Sequence, residues 1–539
     1  MVMADIPQPT IGATEESKTN DTELKDVSEN GKTRQGKKPK EPLTSKQQLS
    51  TTIKSVRDLL RKDAGLSGDT DRLPQLTWLL FLKSLDDAEY AREAILGDIY
   101  EPVIESPFRW RDWAALEDKT QRKTGDELLD FVNNELIPYL VRLSGTGDRD
   151  IRTVIGTIFQ GTVNRIRSGY ILREVVDKLS NINFNVSDDV HAVSHFYETM
   201  LKEMRDAAGD SGEFYTPRPV VRFIINRLAP KPDERIMDPA CGTAGFLVET
   251  YEQLKGQVHT TEKRRRLEES LLGIEKKPMP YLLGVMNMLL HGIEYPHIIE
   301  SNALSSNIRQ IRDTERVDVV ATNPPFGGEE ERGILNNFPE GLRTSETTLL
   351  FFQYVMALLK RPGGRCGIVL PNGFLFGNGV ATAVKKQLLT RFNLHTIVRL
   401  PNGAFAPYTS IPTNLLFFEA CAPSETLGDE QPCTREVWYY ELSLPEGRSS
   451  YSKTKPLQFE EFADCITWWD NRVENERAWK VPVENLLAND CNLDIKNPNG
   501  KKDFEHLLPE QLVRNIIEKE RRVLEVMEEI ERMLVREGE

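Results

Sequence analysis

The spacing of apolar positions changes character along the chain. From about residue 44 to 205 it is helical: Leu49, Ile53, Val56 and Leu60 share one face, with Thr44 and Ser45 as candidate caps. The stretch 74–85 is apolar on most faces and predicts a buried helix. Further helices are expected around 125–143, 150–160, 168–179 and 188–206. Past residue 206 the helical period gives way to short apolar runs separated by turn residues. Strands are expected at 235–238, 271–275, 297–300, 317–322, 365–370, 394–400 and 413–419. Helices fill the gaps at 217–228, 244–255, 278–291 and 346–361. Strands alternating with helices predict an open, mostly parallel α/β sheet. The short link between 394–400 and 413–419 suits an antiparallel pair at one edge.

The rest of the chain is patterned differently. Residues 1–43 carry almost no large apolar side chains and are expected to be a disordered tail. Their basic run, Lys32 to Lys40, reads as a solvated segment before it reads as a phosphate-binding arm. Residues 426–505 are mixed, with a β-like Glu436 to Leu442. Residues 506–539 form a charged helix whose stripe of Leu512, Ile516, Val523, Met527, Ile530 and Leu534 needs a cover, best supplied by a partner. The expected units are therefore 1–43 (tail), 44–205 (all-helical), 206–425 (α/β), 426–505 (mixed) and 506–539 (partner-binding helix).

Composition narrows the function classes. At 539 residues, 39% hydrophobic and 28% charged, the chain is long enough for more than one core. It has neither a transmembrane run nor an apolar signal segment near Met1, so a cytoplasmic protein with no membrane partner is expected. A net charge of −14 argues against a protein that coats nucleic acid unaided. The six cysteines include no C-x-x-C pair and are expected to be free thiols, with no metal site. His191 and His195 lack the intervening Glu of a metalloprotease helix and read as ordinary surface or interface residues.

Two stretches carry chemistry. In the first, a strand ends at Asp238, and Gly242, Thr243, Ala244 and Gly245 lead into a helix. Small residues let backbone N–H groups and the helix N-terminus approach a ligand. The dinucleotide pattern G-x-G-x-x-G is missing, so a carboxylate holding a small polar or cationic ligand is the better reading. Glu275, ending the next strand, is placed to accept from ribose hydroxyls. In the second stretch, Asn323-Pro324-Pro325-Phe326 follows the strand at 317–322. The prolines stiffen the backbone at a strand's C-terminal edge. An amide carbonyl and a backbone carbonyl can both accept from one exocyclic amino group, and Phe326 offers a face to a flipped base. The phrases Leu370-Pro371-Asn372-Gly373 and Leu400-Pro401-Asn402-Gly403 end two strands alike and read as turns rather than substrate contacts.

Asp-Pro-Ala-Cys-Gly-Thr-Ala-Gly-Phe followed by Asn-Pro-Pro-Phe resembles N6-adenine DNA methyltransferases, and more narrowly the modification (M, HsdM-type) subunits of type I restriction-modification systems. Gly212-Glu213-Phe214-Tyr215-Thr216-Pro217-Arg218-Pro219 matches that family's extra donor-binding motif, in the family's order. The resemblance spans roughly residues 44–420. It implies a Rossmann-like domain using S-adenosylmethionine, preceded by a helical domain. Glu213, Phe214, Tyr215, Thr216, Pro217, Arg218, Thr243, Ala244, Gly245 and Glu275 would then contact the donor, and Asn323, Pro324, Pro325 and Phe326 would hold the adenine. The implied partners are double-stranded DNA, a specificity (S) subunit and a second M subunit, with a restriction/motor (R) subunit as an optional addition. One departure is Asn302, where an acidic residue often stands. Methylation of a protein glutamine amide, or a non-catalytic assembly role, are the competing readings.

Overall fold

The computed structural model describes residues 45–146, 150–182, 184, 197, 216–406, 409, 411–422 and 432–499, with 517, 520, 521, 524 and 527. The expected tail 1–43 and the residues Glu213, Phe214, Tyr215, His191 and His195 lie outside the described residues. So does most of the helix expected at 188–206 and of the C-terminal helix.

The helical region is built as its pattern implies. Ser45–Leu60 buries Ile53, Val56 and Leu60 completely. The apolar stretch belongs to a longer helix, Asp69–Leu96, in which Leu76, Trp78, Leu79 and Leu80 are fully buried. Pro74 lies in the second turn and lacks the N–H that would reach Thr70, yet the helix continues through it. Gly97, at φ 58°, ends the helix by donating its N–H to Glu93 O. Gly125–Asp130 runs through a π-helical stretch, Phe131–Leu136, into Ile137–Val141. Ile151–Gln160 and Gly169–Ser180 follow, capped by Asp150 and Ser168. Asp63 ties the ends together: its buried carboxylate accepts from the backbone N–H groups of Gly65 (2.8 Å), Arg167 (3.1 Å) and Ser168 (2.9 Å).

The α/β region forms one nine-stranded sheet in the order β3-β2-β1-β4-β5-β7-β6-β8-β9. Its strands are β1 (Ile236–Asp238), β2 (Leu271–Glu275), β3 (Ile298–Glu300), β4 (Val319–Thr322), β5 (Arg365–Pro371), β6 (Phe392–Arg399), β7 (Thr413–Ala420), β8 (Glu436–Glu441) and β9 (Ala478–Pro482). The first five are parallel. β1 and β4 are buried throughout, as strands covered on both faces require. Helices Arg218–Leu228, Gly245–Leu254 and Pro278–Leu290 cover one face. Thr347–Leu358 and Val380–Arg391 cover the other. The strand order reverses between β1 and β4, which opens a crevice at their C-terminal ends. Helix Pro278–Leu290 also packs against Asp69–Leu96 and Ile151–Gln160, so the helical region leans on this half of the sheet.

Two expectations are corrected. β6 and β7 are antiparallel, but they lie inside the sheet, because β8 and β9 from the mixed segment extend it further. The six thiols are not all free: Cys421 and Cys433 form a disulfide, while Cys241, Cys366, Cys465 and Cys491 are free and buried. The chain leaving β7 and the chain entering β8 both run along the end of helix Val380–Arg391. There Cys421 N–H donates to Arg391 O and Cys433 N–H to Thr390 O, which no sequence spacing announces. No helix among the described residues is long and apolar enough to cross a membrane.

Replacing Asp63 with Ala leaves three backbone donors unsatisfied. It is expected to cost about 2–3 kcal/mol, read as a lowered thermal midpoint of the full chain; an unchanged midpoint would contradict the role given to Asp63.

Candidate active site

The two chemistry-bearing turns leave neighbouring strands, and a buried bond joins them. Asp238 ends β1, and Thr322 ends β4 one residue before Asn323. The Thr322 hydroxyl donates to Asp238 Oδ1 at 2.7 Å, and Ala240 N–H donates to the same oxygen at 3.2 Å. Burial outweighs both bonds and raises the Asp238 carboxyl to about 7.

The small-residue loop is shaped by close approaches. Gly242, at φ 52°, donates its N–H to Glu275 Oε2 at 2.9 Å. A Cβ on Gly284 would stand 2.8 Å from Gly242 O, so the helix Pro278–Leu290 meets this loop through a position that admits no side chain. Asn287, fully buried on the same helix, donates Nδ2–H to Thr243 O at 2.8 Å. Ala244 holds φ 59° at the start of Gly245–Leu254, and Arg218 donates from its guanidinium to Gly245 O at 2.9 Å. Glu275 accepts from Lys277 N–H on its other oxygen, at 2.8 Å, and burial raises its carboxyl above the ordinary range. Its bound N–H donors leave lone pairs on both oxygens for further donors.

Thr216, Arg218, Asp238, Gly242, Thr243, Gly245 and Asn323 line one cavity, together with Ala240, Cys241 and Phe246. Thus residues from three separate segments meet. Pro217 starts the helix Arg218–Leu228, Ala244 is buried behind the loop, and Glu275 stands beside Gly242 rather than on the cavity wall. The residues fit a small nucleoside-bearing cation: one buried carboxylate on the wall, a second beside the loop, and small residues leading into a helix N-terminus.

Asn323 is oriented by its surroundings. Its Nδ2 donates to the Thr216 hydroxyl at 3.0 Å, which turns Oδ1 the other way; that oxygen is buried and has no donor among the described residues. The turn beyond it is clamped by Thr348, a buried residue absent from the sequence reading. The Thr348 hydroxyl donates to Pro325 O at 2.8 Å and accepts from Gly327 N–H at 3.0 Å. Gly327 and Gly328, at φ 102° and 87°, let the chain leave the turn in a conformation other residues resist. Phe326 meets Phe405 with ring centroids 6.0 Å apart and a 62° tilt. Phe405 comes from the loop after β6, where sequence reasoning saw only a turn. Asn302 caps its own segment by accepting from Leu304 N–H, and it donates to Glu330 Oε2 at 3.2 Å, so a carboxylate does stand beside it.

A doubly wound sheet with a small-residue loop at its reversal point, and Asn-Pro-Pro-Phe on the adjoining strand, defines a Rossmann-like methyltransferase acting on an amino group. The N-6 DNA Methylase family model matches residues 188–506, and the HsdM N-terminal domain model matches residues 49–179. The chain is 46% identical over 468 residues to the type I restriction enzyme EcoEI methylase subunit of Escherichia coli, covering 85% of this chain and 92% of that protein. It is 29% identical to the EcoKI methylase subunit of Escherichia coli strain K12, over 74% of this chain and 71% of that one. A crystal structure of a modification subunit of a putative type I restriction enzyme from Vibrio vulnificus YJ016 superposes with a TM-score of 0.76 at 50% identity, covering 87% of this chain and 100% of that one. The chain belongs to the N-6 DNA methylase family, among the type I restriction-modification methylase subunits: it is an adenine-specific DNA methyltransferase.

Thr348→Val removes both contacts of the clamp but keeps the side-chain shape. It is expected to lower kcat for DNA methylation by about 10- to 100-fold, with the thermal midpoint shifted by only a few degrees. An unchanged kcat would show that Thr348 does not hold the turn.

Proposed function

We propose that the cavity at the β1–β4 reversal binds S-adenosylmethionine and that the Asn323 turn holds the target adenine, flipped from the duplex. The unpartnered, buried Asn323 Oδ1 carries this reading, because a buried acceptor left unsatisfied is costly unless a ligand completes it. Asp238 holds the cationic end of the donor, Gly242 to Gly245 pack against it, and Glu275 accepts from the ribose hydroxyls. Asn323 Oδ1 and the Pro324 carbonyl accept from the two N6–H groups, while Pro325 O accepts from Thr348 and fixes the turn. Two acceptors favour the tetrahedral, positively charging nitrogen of the transition state over the planar amine, and Phe326 stacks on the base. The donor supplies an activated methyl; the protein supplies alignment, exclusion of water and charge stabilisation. The proton leaves N6 after transfer, so no general base is required.

The acidic chain acts with partners in the cytoplasm: a specificity subunit to read double-stranded DNA, a second M subunit and, in the restricting complex, an R subunit. On the C-terminal segment, Ile517, Leu524 and Met527 are 49%, 59% and 62% exposed, which supports this segment as a partner-binding helix. The units proposed on the sequence, with boundaries near 43, 205, 425 and 505, remain our division of the chain.

Asn323→Ala should abolish methyl transfer in the assembled complex while calorimetry shows donor binding nearly unchanged; transfer at the normal rate would refute the role. A second expectation concerns pH. Folded Asp238 keeps its proton up to about 7, whereas the unfolded chain releases it near 3.8. Stability contributed by this group therefore declines as pH rises between those values and is level above 7. A cationic donor prefers the ionised carboxylate, so its affinity should climb up to tenfold per pH unit toward 7 and then flatten. Asp238→Asn should bind more weakly and without that pH dependence; the same profile in both proteins would remove Asp238 from the donor site.

A further inference from the structure

The two Leu-Pro-Asn-Gly phrases, which methyl transfer leaves unexplained, open on one groove. They end β5 and β6, and β7 lies between those strands and begins where they end, with Leu370 and Arg399 both in register with Asn414. The groove shares no residue with the donor cavity. Four asparagines stand on its walls: Asn372 and Asn402 from the two phrases, Asn414 from β7, and Asn497.

Both of its cations are paired, and of its two carboxylates only Glu476, 3.9 Å from Arg477, is loosely held. Arg399 pairs with Asp494 at 2.7 Å, Arg477 with Asp464 at 3.0 Å, and Glu441 accepts from Asn497 at 3.0 Å. A site for phosphates would need cations free to replace counterions, and this one offers none on its walls. What it offers is neutral. Asn414 Nδ2 donates to Asn372 Oδ1 at 3.1 Å, which turns the Asn372 amino group outward. Asn402 is exposed, and its side chain has no hydrogen-bond partner among the described residues. Side-chain amides of this kind match the mixed donors and acceptors on base edges.

Position supplies the rest. Asn402 and Phe405 belong to the same loop; Asn402 faces the groove, and Phe405 is buried against Phe326 of the adenine turn. The loop 402–405 thus contributes to the groove at one end and meets Phe326 of the adenine turn at the other. A base flipped into that pocket stays tethered by its backbone to its neighbours in the strand. We propose that the groove between the two Leu-Pro-Asn-Gly turns receives the bases adjoining the target adenine, held by neutral hydrogen bonds from Asn402 and Asn372. This rests on the Asn323 turn being the adenine site.

The test uses the full chain assembled with its specificity partner and two DNAs: the intact site, and the same site with an abasic nucleotide beside the target adenine. With the unsubstituted protein the abasic site should raise KM for DNA about tenfold. Asn402→Ala should raise KM about as much on intact DNA, and the abasic nucleotide should then add nothing, because the same contact is already lost. The salt slope of DNA binding and the donor Kd should not move. Additive effects, or no effect of Asn402→Ala, would overturn the proposal. So would loss of assembly on size exclusion, which would make the groove a protein dock. Asn323→Ala, run alongside, separates the two readings: if it stays inactive while the Asn402 result fails, only the groove is wrong.

Discussion

The buried bond from the Thr322 hydroxyl to Asp238 is the contact on which the site depends. It is 2.7 Å long, between residues with 0% and 2% exposure, and it crosses from β4 to β1 where the sheet order reverses. Each of those strands ends in one of the two functional turns. Fixing one strand end to the other therefore sets the separation between the places we propose for the methyl donor and for the amino group, which an in-line transfer cannot leave loose. The surrounding features serve that spacing. Asn287 and Gly284 hold the small-residue loop from one side, and Thr348 clamps the Asn323 turn from the other.

The arrangement costs stability where it gains function. Asp238 and Glu275 are carboxyls buried in one neighbourhood, and desolvation raises both. Left without a cation, such groups oppose folding at neutral pH. Backbone N–H donors from Ala240, Gly242 and Lys277 offset part of that cost, and a bound cation and ribose would offset more. Ala244 in the left-handed region adds local strain that a glycine would avoid, at the very residue that launches the helix toward the ligand.

Much of this was legible in the residues. The parallel strands are apolar runs bounded by turn residues, so β1 to β5 fall within a residue or two of where the pattern puts them. The two turns combine residue types that ordinary loops do not, and Asp238, Gly242 and Asn323 meet as the motif order implies. What was not legible depends on the third dimension. Thr322 and Thr348 look like β-branched filler in apolar stretches; only the register of β1 with β4, and the start of helix Thr347–Leu358, turn them into partners. Phe405 and the paired Cys421 and Cys433 are brought to their contacts by β7 inserting between β5 and β6, a crossover that periodicity does not encode. The same insertion turns two repeated strand-ending phrases into one groove.

The central claim is that one turn holds the donor and its neighbour holds the adenine, at a distance set by the β1–β4 junction. The most direct test is a structure of the chain assembled with its specificity partner, site DNA and a non-reactive donor analogue. The account predicts the analogue between Asp238 and Glu275 and the target adenine out of the duplex, with N6 about 2.7–3.2 Å from Asn323 Oδ1. A target adenine still stacked in the helix, or Asn323 Oδ1 bonded to a protein group instead, would contradict it.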